Sequence, residues 1–252
     1  MTRSFDTTDV NVVTTPGGQR VHKWHAAQSE VLTAGFTEVR KGVWNFVGNG
    51  LSNQSFIQAP EGIIAIDTGE SIEEMREALR RLRELTSEPI AAVIYTHFHY
   101  VEGTKAIFQE GNHVSPLPIY AHEKVKGNKA RTLGEISPAY ARGLVEQFAI
   151  VMPLEGPDAT VNVGLGFFYK NPAHAPYTPG HIPVTEVLGD KGSITVAGLP
   201  VQYLHSPSDS DDSINFYFPS IGTCVHNSVW PVLFNVYAIR GEEYRDPRVL
   251  IP

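Results

Sequence analysis

The sequence is poor in cysteine. Cys224 is the only one, which excludes an intrachain disulfide and, without a second chain, a four-cysteine zinc site or an iron–sulfur cluster. No stretch approaches the ~18 consecutive apolar residues of a membrane span. The start, Met1 to Asp6, has no apolar signal-peptide core. These absences predict a cytoplasmic chain with no membrane partner. Basic runs are missing too. With 20 Lys and Arg against 27 Asp and Glu, a net charge of -7, the balance weighs against nucleic acid and anionic membranes. An anionic substrate would need a local cation. There is no internal repeat and no low-complexity tract.

What is present is ordinary globular material: 252 residues, 42% hydrophobic, a length that predicts one large or two small domains. Residues 1–40 read as an N-terminal arm and 41–252 as the folded domain. Val43 to Val47, Ser55 to Gln58 and the β-branched run Gly62 to Asp67 read as strands. Ser71 followed by Glu74 makes a capping box. Ile72, Met75, Leu79, Leu82 and Leu85 then recur at helical spacing. Ala91 to Tyr95 predicts a second buried strand, Thr104 to Phe108 the start of a helix, and Pro118 to Ala121 another strand, so the order is that of an α/β sheet. His122 to Gln147 is polar with helical stretches, and the four prolines of Pro172 to Pro183 require a loop. Ile194 to Val196, Val201 to Leu204, Ile214 to Phe218 and Thr223 to Val225 make the second half strand-rich.

His97-Phe98-His99 directly follows a predicted buried strand, where ligands gather in open α/β sheets. Two imidazoles at i and i+2 of an extended loop can face one side and supply two of the three protein ligands of a catalytic zinc site. The alternative is a chance pair in a chain with ten histidines.

From Val43-Trp44 through Leu51 to Ile57, Gly62 to Asp67, the capped helix and Tyr95 to His99, and again at Val163 to Gly166, Asn215 to Pro219, Asn235 to Gly241 and Arg245 to Pro247, the sequence resembles the alkylsulfatases of the metallo-β-lactamase superfamily. The resemblance implies an αββα metallo-β-lactamase-like sandwich, incomplete at the C-terminus by at least one strand and helix that carry the last metal-binding His. It also implies a homodimer. Where the family has His-x-His-x-Asp-His, this chain has Val101 at the Asp position and Glu102 at the final His, and valine cannot ligate. A family Glu falls near Asp209, and a metal-bridging Glu falls at His226 or Asn227. The implied centre is therefore one divalent ion, most naturally zinc, on His97, His99 and His226 with Asp209 or Glu102, these two carboxylates being also the candidate catalytic groups. Each has a plainer reading: a solvated acidic turn for Asp209, a surface carboxylate for Glu102, a strand-end imidazole for His226. Arg240 matches the family's sulfate-binding Arg, and a guanidinium suits a tetrahedral oxyanion; Asn53 resembles an Asn that orients the sulfate. A surface ion pair and a turn residue are their alternatives. Phe167, Phe168, Tyr169 and Tyr177 could line an alkyl pocket or simply pack. The function implied is metal-dependent hydrolysis of an alkyl sulfate or related anionic ester by metal-activated water. Two other readings stand beside it: a silent binding protein on the same fold, and a single-metal hydrolase of lactones, thioesters or phosphoesters.

Overall fold

The structure, a computed structural model, describes residues 9–166, 169, 171–227, 242 and 248. In chain order its elements are β1 (Val12–Thr14), β2 (Arg20–His22), α1 (Lys23–Gln28), β3 (Gly35–Arg40), β4 (Val43–Val47), β5 (Gln54–Ala59), β6 (Gly62–Ile66), α2 (Ile72–Leu82), β7 (Ile90–Ile94), α3 (Lys105–Glu110), β8 (Ile119–His122), α4 (Val125–Leu133), α5 (Ser137–Gln147), β9 (Glu186–Leu188), β10 (Lys191–Val196), β11 (Leu199–His205), β12 (Ile214–Phe218) and β13 (Thr223–Val225). Strands β3 to β9 form a seven-stranded sheet in sequence order. Its first four strands are antiparallel neighbours, and β6 to β9 run parallel. Strands β10 to β13 make a separate antiparallel sheet, while β1 and β2 form a small ribbon.

Both faces of the large sheet are buried, which is why β6 and β7 read as continuous apolar runs rather than alternating ones. One face carries Ile63, Ala65 and Val93 against Met75, Leu79 and Leu82 of α2 and Ile107 of α3. The other carries Ile57, Ile64, Ile66 and Ile94 against Val201, Ile214, Phe216 and Phe218 of the small sheet. At roughly 1.5–3 kcal/mol for each large side chain fully buried, these two interfaces hold the layers together. The architecture is metallo-β-lactamase-like, with helix, sheet and sheet layers among the described residues.

Three expectations differ in detail. Leu85 lies beyond the end of α2 and is exposed. The Pro172 to Pro183 loop opens with a 3-10 turn over Pro172–His174. Within the stretch read as an arm, residues 9–40 carry β1, β2 and α1, and β3 pairs with β4 as the edge of the large sheet.

Three loops meet at one end of the sheets. The loop leaving β7 is clamped to the loop leaving β6, because Thr68 N donates to Tyr100 O and Glu102 N to Gly69 O. A Cβ at Gly103 would lie 1.9 Å from Thr68 O, so this approach requires glycine. The loop leaving β11 is brought alongside by Ile214 N, which donates to Thr96 O at 3.0 Å.

Candidate metal centre

The ligand-capable atoms of His97, His99 and Asp209 all lie within 4.8 Å of one another. Asp209 Oδ2 is 3.3 Å from His97 Nε2 and 2.8 Å from His99 Nδ1. Behind each imidazole stands a group that orients it. Thr96 donates its hydroxyl to Asp67 Oδ2 at 2.6 Å, which leaves its oxygen to accept from His97 Nδ1 at 3.0 Å. His99 Nε2 faces Glu242 Oε1 at 3.2 Å. Thr96 thus puts the His97 proton on the outer nitrogen and turns the inner lone pair toward Asp209, as in metal sites whose histidines are fixed by hydrogen-bonded partners, while His99 has a carboxylate at each nitrogen, Asp209 at Nδ1 and Glu242 at Nε2.

His97 Nε2 is buried and makes no hydrogen bond. A lone pair aimed at a carboxylate across 3.3 Å is repulsive unless a cation lies between them, so this orphaned atom fits a metal. Two imidazoles and a carboxylate suit a borderline divalent ion such as zinc. The charges agree. Burial opposes ionisation of His99, yet the carboxylates of Asp209 and Glu242 outweigh it and hold its pKa up to about 9. Burial would likewise raise Asp209, but His99 and His97 keep it well below the ordinary carboxylate value. Asp67 is pushed up by burial, partly offset by His97 and by its bonds to Thr96. Its left-handed backbone, φ 54°, aims the carboxylate at Thr96, whose N–H also donates to it at 2.8 Å.

The other expected site residues are placed differently. Val101 is fully buried in the helix-side core and bridges to Gly69, so the position of the second-ion carboxylate is filled by packing. Glu102 lines the cavity in front of His99 and Asp209 but does not join the three-residue cluster. Its carboxylate pairs with Lys129 and accepts from His181 N at 3.1 Å. His226 is exposed and also outside the cluster; with Asn53 it lines a cavity of about 530 Å³ that reaches His97 and Asp209. Asn227, the other candidate at that position, donates to Ser213 Oγ at 3.0 Å and so braces the turn that carries Asp209. Tyr169 and Tyr177 line an apolar cavity of about 290 Å³ with Phe148, Ile150, Met152 and Leu154. Phe148 and Tyr169 continue from it to the cavity holding His99 and Asp209. Arg240, Phe167 and Phe168 lie outside the described residues. Glu242 carries no signal in the sequence that marks it for this site, and Thr96 only its place before His97.

The metallo-β-lactamase superfamily model matches residues 47–100. A linear primary-alkylsulfatase of Pseudomonas sp. (strain ATCC 19151) is 34% identical over 200 residues, covering 77% of this chain and 37% of that protein. An (R)-specific secondary-alkylsulfatase of Pseudomonas sp. is 26% identical over 233 residues, covering 89% and 34%. Among solved structures, a stereoselective inverting sec-alkylsulfatase from Pseudomonas sp. aligns with TM-score 0.79 at 22% identity, over 91% of this chain and 37% of that one. A metallo-β-lactamase family protein from Thermus thermophilus aligns with TM-score 0.53 at 19% identity, over 84% and 67%. The chain thus spans about a third of the length of the curated relatives it matches.

Proposed function

We propose, from the premise that this chain is a relative of the alkylsulfatases of the metallo-β-lactamase superfamily, that it is a metal-dependent hydrolase of sulfate esters with an apolar tail. The observation that carries the reading is the orphaned, buried His97 Nε2 facing Asp209 beside His99. One zinc ion would be held by His97 Nε2, His99 Nδ1 and Asp209 Oδ2. When bound, such an ion lowers the pKa of a water from 15.7 to about 7 and polarises the ester oxygen. The chain's own residues do the rest. Asp67 and Thr96 keep the His97 proton on Nδ1, and with the ion on His99 Nδ1 that ring's proton faces Glu242 from Nε2. Asn53, at the cavity wall, and Arg240, by its match in sequence, receive the sulfate oxygens. Glu102 is a positioning carboxylate that anchors Lys129 and the His181 N–H. The tail runs past Phe148 and Tyr169 toward Met152 and Leu154.

Val101 favours one ion in this centre over two, and with it a second reading, a single-ion hydrolase of another ester class. Metal analysis of tag-free protein, with turnover of a linear alkyl sulfate, an alkyl phosphate and a thioester, separates the two. The expected result is sulfate release, with one metal equivalent per chain lost in His97→Ala and in Asp209→Ala. Turnover of only the phosphate or thioester would select the second reading. Unchanged metal content in both variants, with no turnover, would leave a binding protein on this fold.

A further inference from the structure

The apolar seam between the two sheets ends in a pair of histidines. His122 closes β8 on the same face as Tyr120, which packs into the inter-sheet core, and His205 closes β11 on the same face as Val201 and Tyr203. Their rings stack with centroids 4.0 Å apart and 10° between planes. The side chain of His122 is fully buried and that of His205 is 13% exposed. Backbone bonds fasten the turn between β9 and β10 beside them, since Glu123 N donates to Leu188 O at 2.9 Å and His205 N to Asp190 O at 2.5 Å. His205 Nε2 also donates to Asp211 O at 2.6 Å, which ties the pair to the loop that presents Asp209.

This geometry accepts one added proton and opposes a second. The carbonyl of Asp211 can only accept, so His205 carries a hydrogen on Nε2 and takes a further proton at Nδ1, which faces Asp190 Oδ1 at 3.3 Å. His122 has no such acceptor for a second proton. Its Nδ1 faces Lys124 N at 3.4 Å, a group that can only donate, so the neutral ring keeps its lone pair there and its hydrogen on Nε2. A proton added at Nδ1 would set N–H against N–H and bring two cationic rings face to face at the end of an apolar seam. The surrounding charges do little to relieve it. Asp190, 3.5 Å from His122 Nε2, is one carboxylate for both rings, and its side chain is 81% exposed. Lys124 is itself cationic and pairs with Asp211 Oδ2 at 3.3 Å, while Glu123 is exposed. Burial, followed by the His205 ring, holds the His122 pKa below its ordinary 6.5 against the pull of Asp190 and Glu123.

We propose that His122 and His205 form an acid-sensitive latch: with at most one ring protonated the stack closes this end of the seam, and with both protonated it parts and releases the loop that presents Asp209. In the open form, freed from burial and from its stacked neighbour, His122 binds a proton more tightly than in the closed one. Closure is therefore complete above about pH 6.5 and weakens as pH falls below it, by at most about tenfold in the closing equilibrium per pH unit. The latch is a property of the fold and does not depend on the activity proposed above.

Amide hydrogen exchange read by NMR, corrected for the intrinsic rate at each pH, tests it on wild type and on His122→Phe at the same free zinc. The phenyl ring can still stack on His205 but cannot be protonated. In wild type, protection at Glu123, His205 and Ser206, whose N–H groups bond across this end of the seam, should fall by about tenfold between about pH 6.5 and about pH 5 relative to Ile64 and Ile66 of β6. In His122→Phe the two sets should keep a constant ratio. An equal acid loss at the seam in a folded His122→Phe protein would overturn the proposal. So would wild-type protection at the seam that tracks β6 down to about pH 5, an arm that stands even if the variant does not fold.

Discussion

Thr96 is the residue on which the candidate centre turns without touching the ion. Its hydroxyl donates to the buried Asp67 and accepts from His97, so one oxygen fixes both a carboxylate and a tautomer. Thr96→Val keeps the shape and removes only that oxygen. Asp67 would then retain the Thr96 N–H alone, and His97 Nδ1 would lose its acceptor. The expected cost is about 1–3 kcal/mol in urea unfolding, with metal affinity down about 10–100-fold in a chelator competition. Unchanged affinity would show that the tautomer is set elsewhere. At this scale the sequence was legible where chemistry and position coincide: His97 and His99 sit two apart on one loop, and Asp209 lies in an acidic turn just before a strand. Glu242 was not, because it reaches His99 across 143 positions, and nothing local in a Gly-Glu-Glu run distinguishes a carboxylate that folds back onto a histidine. For Glu102 the residue type allowed a ligand, and Lys129, 27 positions away, takes its carboxylate.

Among elements, α2 was the most readable, since its cap and its apolar stripe are both local. The cap is only half of the expected box. Ser71 Oγ accepts from Glu74 N at 3.2 Å, but the Glu74 carboxyl turns under the helix to accept from Glu70 N at 2.9 Å and from Gln54 Nε2. Gly50 and Gly69 leave it room, since a Cβ at Gly69 would lie 2.4 Å from Glu74 Oε1. Burial, followed by the Glu70 carboxylate, raises the Glu74 pKa well above its ordinary 4.5. The folded state therefore binds this proton more tightly than the unfolded chain. Its stabilising contribution is complete below the unfolded value and is lost as pH climbs toward the folded one, at about 1.4 kcal/mol per pH unit. Glu74→Gln cannot titrate. The stability of wild type relative to Glu74→Gln should thus fall as urea titrations move from about pH 5 to about pH 8, and a constant difference would mean that Glu74 ionises equally in both states. Elements such as β1 to β3 escaped the sequence for the opposite reason. They have few buried residues and no strong periodicity, and their pairing partners define them.

For the whole molecule, β4, β6, β7 and β12 could be placed from β-branched or apolar runs because sheet and core demand the same residues there. How two sheets stack is a long-range matter, and so is what their loops enclose. The candidate centre belongs to that level: His97 and His99 leave the large sheet after β7, and Asp209 leaves the small sheet after β11. An ion bound there joins the two sheets across the seam otherwise held by apolar packing and the Ile214-to-Thr96 bond. Binding to the folded state alone stabilises by RT ln(1 + [L]/Kd), about 2.7 kcal/mol at a free ion concentration of 100 Kd. In a chain of this size each kcal/mol shifts Tm by about 2–4 °C, so zinc should raise Tm by about 5–10 °C over chelator-stripped protein. The increment should shrink sharply in His97→Ala and in Asp209→Ala, which each remove one ligand of the centre. Differential scanning calorimetry with and without zinc reads this directly. A full increment surviving in His97→Ala would place the stabilising ion outside the candidate centre, because a ligand that no longer distinguishes folded from unfolded chain at that site cannot shift the equilibrium through it.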